Sequence, residues 1–232
     1  MNREDELAEN LSAVHVRIEA ACVIAGRPAT EVTLIVVTKT WPASDVELLA
    51  NLGVRDVAEN KDQEALAKHR QCAALPLRWH FVGQLQRNKA RSVATYADVV
   101  HSVDRPALAA TLGAAAIASD RLIDALIQVD LSEAEQPLRG GVSPSQMLEL
   151  AGVISATAGL SLAGIMAVAP LNVAPLESFA RLALLSQELI RNHPEARVVS
   201  AGMSDDLEAA IISGATHVRV GSAVLGHRSR LR

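Results

Sequence analysis

Leu7, Leu11, Val14 and Ile18 recur at helical spacing with charged residues between them, which predicts an amphipathic helix over about Asp5 to Ala25, closed by Gly26 and Pro28. Beyond it, short apolar or β-branched runs alternate with helical stretches. The runs are Thr33–Thr38, Arg55–Ala58, Trp79–Val82, Asp98–His101, Ile123–Val129, Leu162–Val168, Arg197–Ser200 and His217–Val220. Eight strand–helix units predict an α/β fold closed into a single (β/α)8 barrel of the TIM type, with the first helix as an N-terminal addition. A doubly wound open sheet is the competing arrangement, but no G-x-G-x-x-G follows the first strand. Ser44 to Glu47 and Ser143 to Gln146 read as capping boxes, and Gly53 and Gly159 as residues just past helix ends.

The 232 residues suit one barrel domain over 1–232, with the helix at about 5–25 and the barrel at about 33–226. Half the residues are apolar and only 2% aromatic, so the core is expected to be aliphatic. A formal charge of −4 and so few rings argue against a nucleic-acid partner. Cys22 and Cys72 stand in no metal-ligand or disulfide pattern. The charged start from Met1 to Glu9 and the broken apolar stretches predict a soluble cytoplasmic chain without membrane contact, read as a monomer. The basic tail from His227 to Arg232 reads as a frayed terminus.

In a barrel, the loops after the strand C-termini build the site. That rule gathers Lys39 and Thr40, Glu59 and Asn60, Gly83 and Gln84, His101 to Asp104, Asp130, Met166, Ser200 to Ser204, and Arg219 to Ser222. Lys39 follows the apolar run Leu34 to Val37, where a dry surrounding would disfavour the ammonium and free an amine for carbonyl attack; a solvated lysine at a loop start is the plainer alternative. Gly202 and Ser204 after the seventh strand, and Gly221 and Ser222 after the eighth, place small residues where barrels bind phosphate. Ser204 reads equally well as a helix N-cap. His80 and His101 read as hydrogen-bonded packing residues before catalysts.

Seven ordered segments carry a resemblance: Val37 to Thr40, Glu59-Asn60 with Gln63-Glu64, Trp79 to Lys89, His101 to Asp104, Gly164 to Ala167, Gly202 to Ala210, and Val218 to Ser222. Together they resemble the pyridoxal phosphate homeostasis protein family, over most of the chain. The resemblance implies a barrel like the cofactor domain of bacterial alanine racemase, with pyridoxal 5′-phosphate (PLP) held as a Schiff base on Lys39. It also implies Arg219 facing the pyridine nitrogen. The expected cofactor-binding set is Lys39, Asn60, Met166, Ser200, Gly202, Ser204, Arg219, Gly221 and Ser222, with no metal and no firmly assigned catalytic residue. The implied function is PLP and amino-acid homeostasis with little turnover, apo-enzymes being the recipients of cofactor. A low-activity racemase and a cofactor-free Schiff-base barrel enzyme are the alternatives. Two-base racemisation would need a second base, which the length of the chain is expected not to supply.

The chain departs from the family pattern at Ala58 and Lys61, at Gln84 where a His is common, at Ala201 where a Met is common, and at Leu138-Arg-Gly-Gly141 where Lys-Ser-Gly is usual. Ala201 predicts looser packing beside the phosphate loops.

Overall fold

The computed structural model describes residues 2–132 and 140–226. Its eight parallel strands are β1 (Thr33–Val37), β2 (Asp56–Glu59), β3 (Arg78–Phe81), β4 (Val99–Val103), β5 (Ile123–Gln128), β6 (Leu160–Met166), β7 (Val198–Ser200) and β8 (His217–Val220). They close in sequence order, with β8 pairing back onto β1 through Thr33–His217 to Val36–Val220. Around them run α1 (Arg3–Ala25), α2 (Ala43–Asn51), α3 (Asp62–Gln71), α4 (Ala90–Val93), α5 (Pro106–Ala118), α6 (Met147–Ala156), α7 (Pro175–Asn192), α8 (Leu207–Ile212) and α9 (Ser222–Leu225). The predicted barrel is therefore observed, with strand bounds within about two residues of the periodicity reading.

Capping accounts for several boundary differences. The first helix begins at Arg3 because Asn2 accepts from the Asp5 amide at 2.8 Å while Asp5 accepts from the Asn2 amide, a capping box upstream of the predicted start. Its far end closes as predicted on Gly26, left-handed at φ 67°. Neither predicted capping box forms. Ser44 lies inside α2, which starts without a side-chain cap. Ser143 bonds the side chains of Ser145 and Gln146 and precedes a 3-10 turn, not α6 itself. Gly53 does sit past the end of α2, whereas Gly159 lies one residue further from α6 than predicted, in the turn into β6.

Alternation divides each strand between two environments. Outward residues such as Val36, Val57, Trp79, Val218 and Val220 pack beneath the helices. Leu7, Leu11, Val14, Ile18, Ala21 and Cys22 of α1 join the same cluster with Leu207, Ile211, Val224 and Leu225. Each large aliphatic side chain so buried contributes on the order of 2 kcal/mol. The N-terminal helix thus lies against the backs of α8 and α9, the two helices that follow the loops after β7 and β8. Gly164 in β6 has φ 154°, and a Cβ there would stand 1.9 Å from the Val198 carbonyl oxygen, so only glycine lets β6 and β7 approach.

Candidate functional site

Lys39 continues the inward alternation of Ile35 and Val37 one step past the end of β1. The structure corrects its expected dry surroundings: Lys39 is exposed, with no hydrogen bond or ion pair to a described residue. What is buried is the support below it. Lys68 of α3 donates to the Thr38 carbonyl at 2.7 Å, to Glu59 and to Glu64 at 3.0 Å. The Thr38 hydroxyl donates to Glu59 at 2.6 Å, and the Thr40 amide donates to Glu64. Burial pushes the Glu59 carboxyl above the usual carboxylate range despite the Lys68 and Thr38 donors. Both neighbours of Lys39 are thereby tied down, and Thr40 is held at φ 69°, a left-handed conformation that a β-branched residue rarely adopts. The sequence reading did not include Lys68. Its signal was available: Glu64 and Lys68 are four apart on one helix face, at the predicted site end of the barrel.

The second assembly lies in the barrel lumen. Arg219, 5% exposed, donates from Nη1 to the Ser200 hydroxyl at 2.7 Å and from Nη2 to the Ala167 carbonyl at 3.0 Å. The Ser200 oxygen lies 3.0 Å from His101 Nδ1, and His101 Nε2 lies 2.9 Å from His80 Nδ1. His80 Nε2 in turn lies 2.9 Å from an Asp56 carboxylate oxygen. β4 and β7 are not neighbours, so the His101–Ser200 contact crosses the interior. No carboxylate among the described residues forms an ion pair with Arg219. Desolvation lowers its pKa to about 10.

Burial also depresses the histidines: His217 to about 4, with His80 and His101 below the ordinary value. Groups whose folded pKa lies below the unfolded value of about 6.5 take up protons on unfolding, so the stability they confer is present above that pH and lost as pH falls. The denaturant midpoint is therefore expected to fall steadily between about pH 6.5 and about pH 4. The raised Glu59 carboxyl acts in the opposite sense and the lowered Asp56 carboxyl in the same sense as the histidines; a flat profile over that window would refute the buried neutral set.

The two predicted anion loops meet. The Ser204 hydroxyl accepts from the Ser222 hydroxyl at 3.0 Å and from the Ala223 amide at 3.2 Å. Ser204 thus caps across to α9 rather than its own helix, and Asp206 takes the N-cap position of α8. Asp206 also accepts from the Met203 amide at 2.6 Å. Gly202, at φ 88°, has Ala210 so close that a Cβ would approach it to 2.7 Å. Behind the loop, Arg17 of α1 donates to the Ser204 carbonyl at 2.8 Å and pairs with Glu208.

Of the remaining predicted residues, Asn60 is half-buried after β2, and Gly83 allows its approach: a Cβ on Gly83 would stand 2.1 Å from the Asn60 carbonyl oxygen. Met166 ends β6, buried with Val99 and Leu126. Ser200 is fully buried under Arg219. Gln84 approaches Gly140, and Ala201 is buried within the main core. Leu138, Arg139 and the tail from His227 to Arg232 lie outside the described residues. A groove of about 450 Å³ beside the β2 and β3 ends is lined by Asn60, Lys61, Glu64, Gln84 and Lys89, among others. Among the described residues there is no candidate metal cluster, and no helix is long and apolar enough to cross a membrane.

Comparison with known proteins places this geometry. Residues 10–229 match the model of the alanine racemase N-terminal domain. The pyridoxal phosphate homeostasis protein of Mycobacterium leprae (strain TN) is 40% identical over 247 residues, covering 100% of this chain and 96% of that one. Its counterpart in Escherichia coli (strain K12) is 36% identical, covering 97% of each chain. PipY of Synechococcus elongatus PCC7942, in a structure with PLP bound, is 31% identical with a TM-score of 0.81, covering 95% of this chain and 100% of PipY. Alanine racemase of Clostridium difficile 630, 14% identical with a TM-score of 0.74, covers 98% of this chain and 58% of its own, and shares the fold alone.

Proposed function

This chain belongs to the pyridoxal phosphate homeostasis protein family, and from that premise we propose that it binds PLP over the C-terminal mouth of the barrel, carries it as a reversible Schiff base on Lys39, and serves intracellular PLP and amino-acid homeostasis with little or no turnover. The observation that carries this reading is Arg219: a buried cation with two donors fixed by Ser200 and Ala167 and no described carboxylate paired with it. Such a group requires an electron-rich partner. PLP's ring nitrogen accepts, its phosphate suits the Gly202, Ser204, Gly221 and Ser222 surface, and its aldehyde suits the exposed Lys39 amine. The PLP found with PipY supports the same ligand.

Bound PLP supplies an aldehyde carbon to which a lysine amine adds with loss of water. This chain's residues do the rest. Lys68, Glu59 and Glu64 hold the turn that presents Lys39. The Arg219 guanidinium, a donor that keeps its protons, leaves the ring nitrogen unprotonated. A ring in that state withdraws electrons weakly, which favours carrying over turnover. Asn60 and Met166 complete the walls, and apo-enzymes are the recipients.

The test is the visible spectrum of purified protein with and without added PLP, followed by borohydride reduction and peptide mapping. A yellow species trapped as one phosphopyridoxyl group on Lys39 is expected. No reduced adduct on Lys39, or an adduct only on scattered surface lysines, would overturn the reading. Rapid α-proton exchange of an added amino acid in deuterated water would replace the carrier with a racemase-like enzyme.

A further inference from the structure

The lumen chain has a direction. Arg219 is only a donor and an Asp56 carboxylate only an acceptor, so the two ends dictate every proton between them. Ser200, accepting from Arg219, gives its own proton to His101 Nδ1; His101 then carries its proton on Nε2 and donates to His80 Nδ1; His80 carries its proton on Nε2 and donates to Asp56. Each contact becomes one donor facing one acceptor, and both rings are neutral. Reversing the order would face a bare His80 nitrogen against the carboxylate or require a buried imidazolium. His80 is 1% exposed and His101 wholly buried, surroundings that disfavour that charge.

We propose that Asp56, His80 and His101 are positioning residues that act through Ser200 on Arg219. The anionic end fixes both tautomers, the tautomers fix the Ser200 hydroxyl with its lone pair toward the guanidinium, and the guanidinium is held as a donor at the mouth. Asp56 opens β2, at the opposite end of the barrel from Lys39. A residue with no contact to the ligand therefore governs how that ligand's nitrogen is met. The identity of the ligand rests on the PLP reading; the positioning of Arg219 does not.

Nitrogen-15 NMR of the ligand-free protein tests the chain directly. His80 and His101 are expected as neutral, Nε2-protonated rings, and the Arg219 Nη protons as resolved, slowly exchanging signals. Asp56→Asn removes the charge that sets the direction and is expected to scramble the tautomers and speed guanidinium rotation. His101→Leu is expected to do the same, whereas His101→Gln, whose amide both accepts and donates, should restore the slow signals. If His101→Leu does not fold, Asp56→Asn, at the partly exposed end, carries the test. An imidazolium at either position at neutral pH, or unchanged Arg219 signals in Asp56→Asn, overturns the proposal. In the loaded protein, Asp56→Asn should release PLP about tenfold faster. Unchanged release beside a mobile Arg219 overturns its bearing on the cofactor. Wild-type protein that shows the NMR pattern but takes up no PLP overturns the proposed function and leaves the positioning established.

Discussion

Lys39→Ala is expected to abolish the borohydride-trapped phosphopyridoxyl group and to weaken PLP retention on the order of 100-fold, or about 2.7 kcal/mol. The size of the effect follows from the lack of a substitute amine. Lys68 is the lysine nearest in the structure to the Lys39 turn, but its ammonium is enclosed by Thr38, Glu59 and Glu64. Lys61 and Lys89 line the neighbouring groove, and Lys89 lies 3.7 Å from Asp62. The loops bearing Ser204 and Ser222 and the Arg219 guanidinium stay in place in the variant, so weak, noncovalent binding should persist. Mass mapping of the reduced variant checks this. A full-stoichiometry adduct on Lys61 or Lys89 would move the attachment point to the groove and remove Lys39 from the site.

Lys68→Met should cost about 3–5 kcal/mol of folding stability, because it leaves Glu59 buried with one oxygen unpartnered and the other bonded only by Thr38. For a chain of this size that corresponds to a fall in melting temperature of roughly 6–20 °C. Adding Glu59→Gln, which removes the stranded charge, should return a large part of the loss. A thermal melt of the single and double variants decides the matter. A single-variant loss under about 0.5 kcal/mol would mean that Lys68 is solvated and does not anchor the Lys39 turn. Freed of its anchors, Thr40 is expected to leave its left-handed conformation.

The barrel was legible because its strands are short, β-branched and evenly spaced between amphipathic helices, a pattern local in sequence. The Lys39, Gly202 to Ser204 and Arg219 to Ser222 positions were legible because barrel topology dictates where strand ends meet. The helix N-caps were not: Ser44 and Ser143 satisfy a spacing rule, yet the backbone turns elsewhere, and Asn2 starts a helix that the periodicity places at about Asp5. The lumen chain was also hidden. His80 and His101 were read as hydrogen-bonded packing residues, and they are, but spacing along the chain carries no information about partners on β2 and β7. Charged groups showed the same limit, since the exposure of Lys39 and the burial of Lys68 depend on how α3 folds back over the end of β1.

Closure of β8 onto β1 has a consequence for how the protein meets other molecules. Even the narrow seam between β7 and β8 is bonded, with the Ala201 amide on the His217 carbonyl and the Arg219 amide on the Gly202 carbonyl. An open sheet ends in a row of unpaired amides and carbonyls, onto which another chain can add a strand. Here the ring of strands has no such row to offer. Growth by templated strand addition is closed to the native fold, and any protein that docks on it must instead approach across helix surfaces and the loops at the barrel ends.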